Sequence, residues 1–225
     1  MWPDAMWPDA MWPRAAGWNL PDWDAGGTRR RHNSDMPNHI ALLRGINLGG
    51  RNKVAMADLR AVVAGLGHGD VRTYIQSGNV LFTAVAGADD TAAMAEEMTA
   101  EIAGKLGVIA PVVILTRGEL ATVIAANPFP GQSDPKKVHA VILSQPPTPS
   151  LLERVGTAQA QASSKGTADE VRAVGRTLYL HTPGGYGNSD LAQAILRIAG
   201  SPKAGATGTA RNWLTMTKLL ELCDN

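Results

Sequence analysis

A chain of 225 residues, 44% of them apolar, has material for one large packed domain or two small ones, which excludes wholesale disorder. A formal charge of +1 excludes wrapping nucleic acid by bulk electrostatics, so any basic character has to be a local patch. The single cysteine, Cys223, excludes a disulfide framework and a cysteine metal cluster, and no apolar run approaches the ~18 residues of a membrane-spanning helix.

Residues 1–35 stand apart from the rest. They open with three near-copies of a five-residue unit, MWPDA, MWPDA and MWPRA, and hold five of the six tryptophans. Prolines recur and neither helical nor strand periodicity appears. Asp4 and Asp9 interrupt the basic start and apolar centre that a signal peptide needs. The expectation is a disordered N-terminal extension over 1–35, with a cytoplasmic location for the whole.

From Met36 the pattern is regular. His39 to Leu43 is a short apolar run, predicted as a buried strand. The run Arg44-Gly-Ile-Asn-Leu-Gly-Gly-Arg-Asn-Lys53 follows as a loop. Met56, Leu59, Val62, Val63 and Leu66 recur at helical spacing, and Gly65 and Gly67 end that helix. Val71 to Ile75 and Val80 to Thr83 are β-branched and aromatic, joined by the turn signal Gln76-Ser-Gly-Asn79. Met94, Met98, Ile102 and Leu106 mark a second helix, and Pro111 to Thr116 a fourth strand. The order is βαββαβ over residues 36–116.

A connecting helix, Glu119 to Ala126, and the breaker Asn127-Pro-Phe-Pro-Gly131 fill 117–136. Over 137–225 the order returns. Val138 to Leu143 is a strand, Leu151, Leu152 and Val155 begin a helix, and Glu170 to Val174 and Thr177 to His181 flank Gly175-Arg176. Asn188 or Ser189 caps a helix carrying Leu191, Ala194, Ile195 and Ile198. A short extended segment falls near Ala204 to Thr209. Arg211-Asn212-Trp213 is predicted to open a last helix with Met216, Leu219, Leu220 and Cys223 on one face.

Each βαββαβ unit predicts a ferredoxin-like split βαβ fold, so the class is α+β with two antiparallel sheets plus a C-terminal helix. In that topology the first strand lies beside the third. The loop after strand one and the turn between strands two and three then share one end of the sheet. Arg44 to Lys53 is expected beside Gln76 to Asn79.

The segments ALLRGINLGGRNK, MADLR, RTYIQSGNVLF, GYGNS and TARNW together resemble the bacterial family known as domain of unknown function 1697. The resemblance spans Met36 to Cys223. It implies a duplication of ferredoxin-like halves, and because the family's activity is not established it assigns no catalytic residue. Ala55 stands where the family usually has a proline, and Leu214 where an arginine is common.

Gly45, Gly49 and Gly50 permit positive φ and close backbone approach. Exposed backbone N–H groups with Arg44, Arg51 and Lys53 nearby suit an anion such as phosphate. The loop lacks P-loop spacing, and a loop whose asparagines bond its own backbone is the alternative. Gln76 and Ser77 add side-chain donors and acceptors that a bare turn does not need. Trp213 is a core anchor or a stacking surface, and Arg211 pairs with a phosphate or locks the helix. The candidate ligand-binding residues are therefore Arg44, Asn47, Gly49, Gly50, Lys53, Gln76, Ser77, Asn79 and Arg211. The histidines show no metal-ligand spacing, so no metal and no cofactor is expected. The expected partner is a phosphate-bearing or other anionic small molecule, or a nucleic acid. A metal-independent enzyme acting in the same cleft and a protein-interaction domain are the alternatives.

Overall fold

The computed structural model describes residues 36–50, 52–132, 134–201 and 205–225. The extension expected over 1–35 lies outside the described residues, and so does Arg51. The first half runs β1 (His39–Leu43), α1 (Met56–Gly65), β2 (Gly69–Tyr74), β3 (Asn79–Thr83), α2 (Thr91–Leu106), β4 (Val112–Thr116) and α3 (Arg117–Ala125). The second half repeats it as β5 (Val138–Leu143), α4 (Pro149–Ser164), β6 (Glu170–Val174), β7 (Thr177–His181), α5 (Asp190–Ala199), β8 (Gly208–Asn212) and α6 (Trp213–Cys223).

Each half forms its own four-stranded antiparallel sheet, ordered β2-β3-β1-β4 and β6-β7-β5-β8. This is the split βαβ arrangement expected from the element order. The repeat extends one helix beyond each unit. His39 pairs with Thr116 and His139 with Asn212, and those partners cap α3 and α6 respectively. The connecting helix and the C-terminal helix therefore occupy equivalent places.

Alternation along the central strands explains the layers, since successive side chains point to opposite faces. Ala41 and Leu43 pack with α1 and α2, and Val141 and Leu143 with α4 and α5. Ile40, Leu42, Ala140 and Ile142 face the other way, into one cluster shared by both sheets, α3 and α6. β1 and β5 are buried along their whole length, so they read as continuous apolar runs.

One boundary differs from expectation in a way that matters. Arg211 does not open the last helix. β8 stays paired to β5 through Asn212, and the helix begins at Trp213 with the Asn212 side chain accepting from Thr215 N at 2.7 Å. Arg211 is thus the penultimate residue of a strand, and its side chain leaves the sheet rather than the helix.

Candidate functional site

The loop from Arg44 to Lys53 folds through a run of left-handed residues. Gly45, Asn47, Gly49, Gly50 and Asn52 all have φ between 48° and 80°. Glycine and asparagine are the residue types that accept this region most readily, so the sequence RGINLGGRNK writes the loop's shape locally. Asn47 then pins it. Its Oδ1 accepts from Val54 N at 2.9 Å, while its Nδ2 donates to Val54 O at 3.0 Å and to Gln76 O at 2.9 Å. The last bond crosses to the β2–β3 turn, so the two polar runs are joined as the topology requires.

Between them lies an open depression of about 540 Å³ lined by Asn47, Gly50, Lys53, Val54, Ala55, Met56 and Gln76. Lys53, Gly50 and Gln76 are exposed. The floor includes the start of α1. The amides of Met56, Ala57 and Asp58 precede the first intrahelical bond, which runs from Leu59 N to Ala55 O at 3.0 Å. The N-cap is Ala55, which has no side chain able to accept from them. The other five α-helices among the described residues are capped by Asp90, Thr116, Thr148, Ser189 and Asn212. The positive end of the α1 dipole thus opens on the depression without a built-in acceptor. Asp58, exposed in the first turn, is the opposing charge.

The remaining candidates point elsewhere. Asn79 is fully buried. Its Nδ2 donates to Tyr74 O at 3.0 Å and Ser77 Oγ at 2.9 Å, and its Oδ1 accepts from Arg211 Nε. Ser77 Oγ is thereby turned to Asn79. Arg211 is buried, with Nη1 on Thr209 Oγ1 and Ala210 O, both at 2.8 Å. Its Nη2 meets Leu43 O at 2.8 Å and Ser77 O and Gly78 O at 3.1 Å. All of these acceptors are neutral, and burial pulls the guanidinium down to about 10. Arg44 also turns to the second half, donating to Gly208 O and, at 2.9 Å, to Leu196 O. Burial lowers its pKa as well. Both arginines therefore tie the halves together, and neither lines the depression. Gly49 sits in the exposed loop without lining it.

Sequence reasoning missed the helix start and its apolar neighbours, Val54, Ala55 and Met56. A signal was available: among the described α-helices, Ala55-Met56 is the opening with no Ser, Thr, Asp or Asn directly before it. It also missed Arg176 in the β6–β7 turn, whose Nη2 meets Glu119 Oε1 of α3 at 2.9 Å. A second cavity of about 540 Å³ lies there, between α3 and that turn, with its arginine already neutralised by Glu119. Among the described residues no group of three or more His, Cys, Asp or Glu is placed to hold a metal ion, and no helix is long and apolar enough to cross a membrane.

The class these features define is an α+β protein of two ferredoxin-like halves, locked by arginines that cross between them. The chain belongs to the family described as "Protein of unknown function (DUF1697)", which matches residues 36–179. It is similar in structure to a conserved bacterial protein from Streptococcus pneumoniae, with 23% identity and a TM-score of 0.59 over 84% of this chain and 99% of that chain. At that identity the likeness is one of fold. No curated protein matches the chain.

Proposed function

We propose that the protein binds a phosphate-bearing anion, such as a nucleotide or another phosphorylated small molecule, in the depression between the 44–53 loop and the β2–β3 turn. The observation that carries this reading is the uncapped N-terminus of α1 opening on a hollow that also holds Lys53 and Gln76. Helix N-termini offer backbone donors and a favourable dipole to anions. Lys53 adds a cation without fixed geometry, and the Gln76 side chain adds a directional amide, while Asn47 spends both Nδ2 hydrogens on Val54 O and Gln76 O and holds the loop. The small size of this hollow and a net charge of +1 favour a compact anion over a long nucleic-acid track. The cytoplasmic location expected from the sequence fits a chain whose one cysteine is a buried free thiol.

Calorimetric titration with inorganic phosphate at low salt tests this. Lys53→Ala should weaken binding about fivefold to tenfold, and the gap should close as salt screens the charge. Asp58→Asn should tighten binding by a few-fold, since it removes the opposing charge. Phosphate binding that is indifferent to both substitutions would refute the site.

A further inference from the structure

We propose that the segment from Ala84 to Asp90, which leads from β3 into α2, is an acid-released latch with His68 as its catch. The proposal is independent of the anion site, which follows the other end of β1. Two side chains from outside the segment hold its first two amides. Ala84 N donates to Asn38 Oδ1 at 3.0 Å, and Val85 N donates to His68 Nδ1 at 3.3 Å. His68 stands just before β2 and is buried. Its ring packs on Phe82 with 4.7 Å between centroids, and His39 stacks on the same phenyl ring at 5.5 Å.

These contacts fix the tautomers. A ring nitrogen that accepts from Val85 N carries no hydrogen, so neutral His68 bears its proton on Nε2. That nitrogen is buried without a partner. His39 has the reverse arrangement. Its Nδ1 lies 2.6 Å from Asn38 Oδ1, an oxygen that already accepts from Ala84 N, so His39 Nδ1 is the donor. A proton added to His39 goes to Nε2 and leaves this bond intact. A proton added to His68 goes to Nδ1, where it meets the Val85 N–H. Protonation of His68 thus breaks the bond that holds Val85 and leaves a buried cation with two N–H groups and no acceptor. Swinging the segment out gives both nitrogens to water. The surroundings do not offset this. Glu97 of α2, Asp70 of β2 and Asp89 and Asp90 of the segment are exposed, and water screens them. Lys105 of α2 pairs with Glu101, and Glu119 of α3 with Arg176. Burial lowers the pKa of His68 from 6.5, with Glu97 opposing. Burial and the nearby His68 lower that of His39, with Glu119 and Asp89 opposing.

Hydrogen exchange at single amides, corrected for the intrinsic rate, tests this from about pH 7.5 to about pH 5.5. The chains compared are the wild type and His68→Asn, whose side chain keeps an acceptor but does not titrate. Opening takes up one proton while the closed form stays neutral, so protection at Val85 should fall about tenfold per pH unit below 6.5 in the wild type. In His68→Asn it should stay flat. Val85 should also exchange at least about tenfold faster than Leu43, whose acceptor Gly78 O lies at the other end of β1. Equal exchange at Val85 and Leu43 would overturn the latch, since the segment would then open only with the whole chain. The same pH slope at Val85 in His68→Asn would overturn His68 as the catch. If that variant does not fold, nitrogen chemical shifts of the wild-type His68 ring at about pH 7.5 decide. A proton on Nε2 is the expected result, and a proton on Nδ1 would overturn the proposal.

Discussion

Replacing Arg211 is the sharpest test of how the two halves are joined. The guanidinium serves six oxygens, but several have other donors. Leu43 O also accepts from Thr209 Oγ1, and Gly78 O from Leu43 N. Among the acceptors in the first half, Ser77 O and Asn79 Oδ1 are the two that depend on Arg211. Leaving a buried acceptor unmade costs about 1–3 kcal/mol, so this pair contributes roughly 2–6 kcal/mol. The alkyl stem adds about 2 kcal/mol of lost burial in an alanine variant. Against this stands the penalty of burying a charge. A guanidinium held at about 10 instead of 12.5 returns on the order of 3 kcal/mol when the charge is removed, at about 1.36 kcal/mol per pKa unit. Arg211→Ala should therefore lose about 3 kcal/mol net, and Arg211→Met, which keeps the stem, about 1 kcal/mol. For a unit of this size the alanine variant should melt roughly 6–12 °C lower. The assay is scanning calorimetry together with hydrogen exchange at the Leu43 amide, whose acceptor Gly78 O belongs to the cage. An unchanged melting temperature would refute the argument. So would a loss of stability with full protection retained at Leu43, since the turn would then be held by something else.

Three further outcomes are expected. Gly78→Ala should destabilise by about 2–4 kcal/mol in chemical denaturation, because φ is +75° and an added Cβ would lie 2.7 Å from Leu43 Cβ and 2.8 Å from Ile46 Cδ1. A change below about 1 kcal/mol would show that the turn can move away from β1. Burial holds the imidazole of His139 at about 4, against 6.5 when unfolded. The unfolded chain therefore binds the extra proton first, and stability should fall as pH drops from 6.5 to 4 by at most about 3 kcal/mol from this group. His39 and His68, also lowered by burial, act in the same direction. His139→Phe should flatten part of that slope in urea titrations across the range, and an unchanged slope would count against it. Burial pushes the Cys223 thiol up to about 11, so it should react with a thiol reagent only as fast as the chain opens. Labelling of the native protein as fast as of the unfolded one would contradict the packing of α6.

Much of the architecture was carried by local chemistry. Continuous apolar runs place β1 and β5, which are buried on both faces, and helical spacing places α1 and α2, each of which must bury one face, because burial acts residue by residue. The left-handed loop is written in glycine and asparagine because few other side chains take that backbone. The meeting of Asn47 with the Gln76 turn followed from element order alone, since a split βαβ sheet sets the loop after its first strand beside the turn between its second and third. The destinations of Arg44, Asn79 and Arg211 had no such local signature. An arginine or asparagine beside a glycine looks the same whether it faces solvent or a neighbouring sheet. Only the packing of the two halves turned Arg44 onto Leu196 and Gly208, sank Asn79 under the turn and drew Arg211 into a cage of carbonyls. Those contacts join residues 132–168 positions apart in the chain, and no pattern of period two or 3.6 encodes them.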